Sequence, residues 1–191
     1  MDSGQHAEQG ASNGLRIFGS IAIMIAVVAL ITIGLRVFIF VPYEIPSGSM
    51  EDTIMPGDMV FSEKVSYYTR APKAGDIVTF ADPQVAGRTL IKRVIATEGQ
   101  TVDLVDGKVV VSGVALNEPY TSGRESYPLS RTAPGVDVTF PYTVPTGHVW
   151  VMGDNRTASQ DSRYFGSIPV SSITGRAAFV YWPISDMGAL S

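Results

Sequence analysis

Thr89-Leu90-Ile91-Lys92-Arg93-Val94-Ile95-Ala96 sets two adjacent cations inside a run of apolar and β-branched residues. Such a run reads as a β-strand, in which alternate residues share a face. Lys92 then sits with Leu90 and Val94, and Arg93 with Ile91 and Ile95. Both faces are apolar around a charge, so at least one charge is expected to be buried. The competing reading is an edge strand whose Lys and Arg both reach water. Burial disfavours the ammonium form and lowers a lysine pKa from about 10.4, by ~3–5 units in deep sites. An amine that is neutral near physiological pH takes a proton from a serine hydroxyl, as histidine does elsewhere.

Around this strand the chain from residue 42 onward is rich in Val, Thr, Gly and Pro. Further strands are expected at 59–64, 77–80, 101–105 and 108–111, and later at 138–143, 148–152 and 175–181. Asp106-Gly107 separates two of them and is a strong hairpin signal, because both residues tolerate positive φ. No amphipathic helix of useful length follows residue 41. The polar segment 117–134, with its Pro, Gly and Ser, reads as a surface loop, and its 122–134 part is given no role. The expectation is a mainly β, antiparallel domain over 42–191, large enough to carry a core.

The N-terminal part has a different character. Residues 17–35 are nineteen without a charge, bracketed by Arg16 and Arg36. In a helix they span about 29 Å, close to a bilayer core of about 30 Å. A cleaved secretory leader would be shorter and followed by small residues, whereas Val37-Phe38-Ile39-Phe40-Val41 is bulky. The reading is a short polar tail over 1–16, a retained transmembrane anchor over 17–41, and a working domain over 42–191. One arginine on each side leaves the orientation undecided by charge.

Composition narrows the chemistry. Charged residues make up only 17% of the 191, and there is no cysteine, which excludes disulfides, thiol nucleophiles and most structural zinc sites. Two histidines, His6 and His148, are too few for a histidine-based metal site. Asp2 and Glu8 balance Arg16 and Arg36, so the net charge of −4 falls on 42–191. An acidic domain has no footprint for a phosphate backbone, and nucleic acid is not expected as a partner. No metal or organic cofactor is implied.

Ser49 lies in Ile45-Pro46-Ser47-Gly48-Ser49-Met50. Pro46 favours an extended entry, and Gly48 permits a close approach that a side chain would block. That turn presents a hydroxyl beside free N–H groups, or is a plain Ser-Gly connector. A third segment, Gly153-Asp154-Asn155-Arg156-Thr157-Ala158-Ser159-Gln160-Asp161-Ser162-Arg163, has turn chemistry and alternating charge that suit an ordered loop. A triad from Ser49, His148 and Asp154 is a rival enzymatic reading, and geometry alone recognises a triad. An anchored β-domain that binds exported proteins without cutting them is the non-enzymatic one.

In combination, Ser47-Gly48-Ser49-Met50, Gly57-Asp58, Ile91-Lys92-Arg93 and the 153–163 segment resemble the type I signal peptidases, in order and approximate spacing. The resemblance implies an antiparallel β-sheet catalytic domain of signal-peptidase type behind one transmembrane helix. It implies Ser49 as nucleophile and Lys92 as general base, with the Ser49 N–H and the Ser47 hydroxyl as oxyanion hole. Ser159 would hydrogen-bond the Lys92 amine, Asp161 and Arg163 would pair to brace the site, and Asp154 would support the same loop. Tyr43, Ile45 and Ile91 match positions lining the substrate pockets. Substrates would be exported preproteins with small residues at −1 and −3 from the cut. The partners would be the bilayer and the export machinery, and the catalytic domain would be extracytoplasmic. Asp52 departs from the usual proline after the nucleophile, and a carboxylate near Lys92 would favour its ammonium form.

Overall fold

The structure, a computed structural model, describes residues 3–38 and 40–190. Met1, Asp2, Ile39 and Ser191 lie outside the described residues, as do the side chains of Arg16 and Arg36 that bracket the apolar stretch. The chain divides into two compact units, Met1–Ile39 and Phe40–Ser191.

The first unit is one helix, α1 (Ser3–Phe38). Its Ile17–Gly34 portion has a mean hydropathy of 2.6 and is long and apolar enough to cross a membrane. A helix apolar all round requires either a protein core or lipid. Inside it the Thr32 hydroxyl donates to Val28 O at 2.8 Å, so its polar group is satisfied within the helix.

The second unit begins at once with a strand, β1 (Phe40–Glu44). This moves the expected boundary of the anchor: Phe40 and Val41 are strand residues, not the end of the apolar helix. The physical reason is local, because β-branched and aromatic residues favour strands and the residue before Pro42 is biased away from helix. After β1 come β2 (Met59–Glu63), a one-turn helix α2 (Ser66–Thr69), β3 (Ile77–Ala81), β4 (Thr89–Thr97), β5 (Thr101–Val105), β6 (Lys108–Val111) and β7 (Val114–Ala115). The remainder is β8 (Tyr142–Thr143), β9 (His148–Met152), a short helix α3 (Ser162–Phe165), β10 (Ile168–Pro169), β11 (Ile173–Trp182) and β12 (Gly188–Ala189).

All pairings among the described strands are antiparallel. The main sheet runs β1-β2-β11-β3-β4-β9-β10 with β12 beside β11, and a smaller one runs β7-β6-β5-β8. The hairpin at Asp106-Gly107 forms as expected, with φ of 49° and 75°, and joins Val105 to Lys108 in register. The strand expected over 138–143 shrinks to Tyr142–Thr143, since Pro141 has no N–H to give a ladder.

Core packing explains the apolar runs. Ile45, Met50, Ile54, Ile77 and Ile91 form one buried cluster, and Val78, Phe80, Val94, Val151 and Phe165 form another. β3 and β4 contribute to both, so the centre of the main sheet is covered on its two faces and reads as continuous hydrophobe. A third cluster, with Val102, Val109, Trp150 and Met152, seats the smaller sheet against β9. Lys92 and Arg93 are therefore both buried, at 3% and 2% exposure. The alternative in which both side chains reach water fails.

Candidate active site

The turn that carries Ser49 is built by what precedes and follows it. Ser47 is extended (φ −137°, ψ 152°), and Gly48–Met50 makes a single 3-10 turn. Met50 and Ile54 are fully buried and fasten the turn to the core below. A Cβ on Gly48 would lie 2.3 Å from Glu51 Oε1, so a side chain there would have to displace the Glu51 carboxylate.

Lys92 projects from the middle of β4 beside this turn. Its Nζ lies 2.6 Å from Ser49 Oγ and 2.8 Å from Ile91 O. Burial drives the Lys92 pKa down to about 8, against the opposing carboxylates of Asp161, Asp154 and Asp82. Arg88 adds a smaller downward push. A hydroxyl and an amine of lowered basicity in hydrogen-bond contact are the parts of an activated nucleophile.

The 153–163 loop braces the pair through two buried ion pairs. Arg93 grips Asp154 with Nε at 2.9 Å and a terminal nitrogen at 2.8 Å. Thr53 Oγ1 donates to the same carboxylate at 2.5 Å, tying the segment that follows Ser49 to it. Arg163 grips Asp161 in the same two-pronged manner, both contacts at 2.9 Å. Burial pushes the Asp161 carboxyl up, but the Arg163 hydrogen bond and charge and the Gly153 N–H more than reverse this and hold it below its ordinary value. Gly153 is required by space: a Cβ there would be 2.3 Å from Ser159 Oγ and 2.4 Å from Ser49 O. Asn155 completes the contact, its N–H donating to Ser49 O at 3.2 Å and its amide to Gly48 O at 3.0 Å.

Asp161→Asn is expected to lower stability by about 3–5 kcal/mol, because it strips the partner from a guanidinium that is buried. Urea unfolding of the two proteins measures it, and an unchanged midpoint would contradict the brace.

Several sequence expectations need correction. Ser159 does not hydrogen-bond Lys92: the amine contacts Ser49 and the Ile91 carbonyl, and the buried Ser159 hydroxyl bears instead on the Asp161 carboxylate. Ile45 and Ile91 are buried in the core cluster that also holds Met50, and Tyr43 lies in β1. Asp52 does not bear on Lys92 as feared. It pairs at the surface with Arg124, 3.0 Å away, and the Arg124 hydrogen bond holds its carboxyl below the ordinary value. His148 takes no part in a triad. Its Nδ1 contacts Thr146 O at 3.1 Å, and Asp154 is committed to Arg93 and Thr53.

Other residues had no legible signal. Glu118, in the expected surface loop, holds buried Arg156 by two contacts of 2.8 and 2.6 Å. Tyr120 lies under the Arg93 guanidinium, 4.0 Å from its ring centre, so the face of Arg93 is covered by a cation–π contact. The loop 117–134 is thus a brace for the arginines of the site.

The cleft beside the pair has a volume of about 420 Å³ and is lined by Ser47, Gly48, Ser49, Leu90, Lys92 and Asn155 among others. Along its wall β4 has an open edge. β9 pairs with β4 only from Arg93 onward, leaving Thr89–Lys92 without a strand neighbour on that side among the described residues. Such an edge accepts an extended peptide by main-chain hydrogen bonds. No group of three or more His, Asp or Glu among the described residues is placed to hold a metal ion.

The sequence model of the family described as signal peptidase, peptidase S26, matches residues 17–182. The chain is 39% identical over 174 residues to a probable signal peptidase I-1 of Synechocystis sp., covering 87% of this chain and 84% of that one. It is 33% identical over 224 residues to signal peptidase I of Mycobacterium tuberculosis, covering 92% and 75%. Thylakoidal processing peptidase 1 of Arabidopsis thaliana is 38% identical over 156 residues, and there the match spans 76% of this chain but 43% of the plant protein. Among solved structures, a signal peptidase I from Enterococcus faecalis aligns with a TM-score of 0.46 and 33% identity, over 56% of this chain and 97% of that one.

Proposed function

The chain belongs to the signal peptidase family, peptidase S26, and on that premise we propose that it is a membrane-bound serine endopeptidase using Ser49 and Lys92 to remove signal peptides from exported preproteins. The observation that carries this reading is the 2.6 Å contact between Ser49 Oγ and Lys92 Nζ on the floor of an open cleft.

In this reading the substrate lies extended against the open edge of β4, which sets the scissile carbonyl beside Ser49. Ser49 Oγ attacks the carbonyl carbon as its proton passes to Lys92 Nζ. The Ser49 N–H and the exposed Ser47 hydroxyl stabilise the oxyanion, each such donor being worth about 3–4 kcal/mol in a transition state. Lys92 then gives the proton to the departing amine, and the acyl-enzyme forms. A water, deprotonated by the same amine, hydrolyses it. Asn155 holds the carbonyls of Gly48 and Ser49 from behind, which keeps the turn in shape for this step.

The helix α1 supplies the membrane attachment. The catalytic unit would face the extracytoplasmic side, where the export machinery delivers its products. Selection for small residues at −1 and −3 belongs to the same reading, with bulky side chains excluded by overlap.

The test uses the full chain in lipid vesicles with a preprotein carrying Ala at −1 and −3. Cleavage at the signal-peptide junction is expected. Changing the −1 residue to Leu should lower kcat/KM by at least about a hundred-fold, more than methylene discrimination alone gives. A preprotein left intact by the wild type would overturn the peptidase reading and leave an anchored binding domain. His148→Ala is expected to leave cleavage unchanged, which separates the dyad from a histidine-based triad.

A further inference from the structure

One charged group on the cleft wall is not used by the peptidase chemistry. Arg88 ends the turn between β3 and β4 and lines the cleft together with Leu90 and Lys92. These three follow the alternation of a strand, so they share one face along the open edge of β4. Arg88 is thus part of the surface on which an extended substrate would lie.

Its guanidinium is fixed at one end only. Arg88 Nε donates to Asp82 Oδ2, and the Asp82 side chain is 1% exposed while that of Arg88 is 50% exposed. Asp82 is itself locked in the turn, since its Oδ1 accepts the N–H of Gln84 at 2.7 Å and of Val85 at 3.3 Å. The two terminal nitrogens of Arg88 donate to no group among the described residues. A planar fork anchored at Nε, with its terminal N–H groups unspent at the edge of a cleft, is suited to a carboxylate, which it takes by two parallel hydrogen bonds. The rest of that wall offers no competing cation except Lys92, whose amine is committed to Ser49 and Ile91.

Resting on the signal peptidase reading, we infer that Arg88 is a specificity-determining residue that pairs with an acidic side chain of the preprotein. That side chain lies about four residues from the scissile bond, because an extended chain advances about 3.3 Å per residue and so keeps step with β4 between Lys92 and Arg88. The contact is made equally in the bound substrate and in the transition state, so it acts on KM and leaves kcat little changed.

The experiment uses the full chain in detergent and a series of preproteins that differ at one residue. Glu, Gln or Lys is placed in turn at the third to fifth positions before and after the cut. The readout is the ratio of kcat/KM for the Glu and Lys versions at each position. In the wild type this ratio should rise to roughly tenfold at one position and stay near unity elsewhere, and should shrink as salt screens the partly exposed pair. In Arg88→Gln it should fall to about one, and in Arg88→Glu it should invert, as expected when one fork is removed or its charge reversed. Because the ratio is internal to each enzyme, a general loss of folded protein cancels from it. A wild-type ratio near unity at every position, one insensitive to salt, or one that survives Arg88→Gln overturns the inference while the peptidase reading stands. Failure of the wild type to cut even the Gln preproteins overturns both.

Discussion

Ser49→Ala is expected to lower kcat for preprotein cleavage by about 10⁴–10⁶-fold, because in the proposed reaction the hydroxyl held against Lys92 forms the acyl-enzyme. The fold should tolerate the change. Ser49 Oγ has its contact with Lys92 alone, while the turn is held by its backbone, with Asn155 bonded to the Gly48 and Ser49 carbonyls. Substrate affinity should persist, so the inactive variant would hold an uncut preprotein in the cleft. Single-turnover cleavage measures the loss, and a variant retaining a tenth of wild-type activity would remove Ser49 from the chemistry.

Lys92→Met is expected to remove at least about 10³-fold of kcat, the usual worth of a positioned general base with its nucleophile. Unlike the serine change, it should also stabilise the protein. Keeping an amine 3% exposed lowers its pKa from 10.5 to about 8. A difference of that size corresponds to about 3 kcal/mol of lost stability. The unfolded chain binds the proton more tightly than the native one, so the cost is fully present below pH 8 and disappears as pH rises to 10.5. Lys92→Met should therefore unfold at higher urea than wild type at neutral pH, with the advantage closing across that window. Wild-type kcat/KM should rise with pH and level off above about 8, where the amine is free to accept a proton. A rate independent of pH through this range, or a variant less stable than wild type at neutral pH, would remove the buried-base argument.

The same residues show why stability and activity pull apart at this site. Apolar neighbours on both faces of β4 make a dry interior, and the fold meets the two adjacent charges differently. Arg93 is given a carboxylate, Asp154, and an aromatic face, Tyr120. Lys92 is given neither at bonding distance, only a hydroxyl and a carbonyl. Pairing keeps a cation charged, whereas leaving it unpaired in the dry lowers its proton affinity. One strand thereby carries a structural cation and, in the proposed reaction, the base on adjacent residues.

Much of this was legible in the sequence where the signal was local. The apolar stretch, the alternation around Lys92 and the Asp106-Gly107 turn each depend on a few neighbouring residues, and each has its element in the structure. Errors arose where neighbours in space are far apart along the chain. Asp52 looked like a threat to Lys92, and it is turned to Arg124, 72 residues away. The 117–134 segment reads as a plain surface loop, and Glu118 reaches Arg156 from it.

The chain's own pattern determined an apolar helix, an antiparallel β-domain and an amine placed among hydrophobes, because periodicity and turn chemistry act within a few residues. The tertiary structure alone decided that Ser49 meets Lys92 across 43 positions and that Asp154 meets Arg93 across 61. Contacts of that span are set by strand register and by how buried groups find partners, and neither quantity is written in any single stretch of sequence.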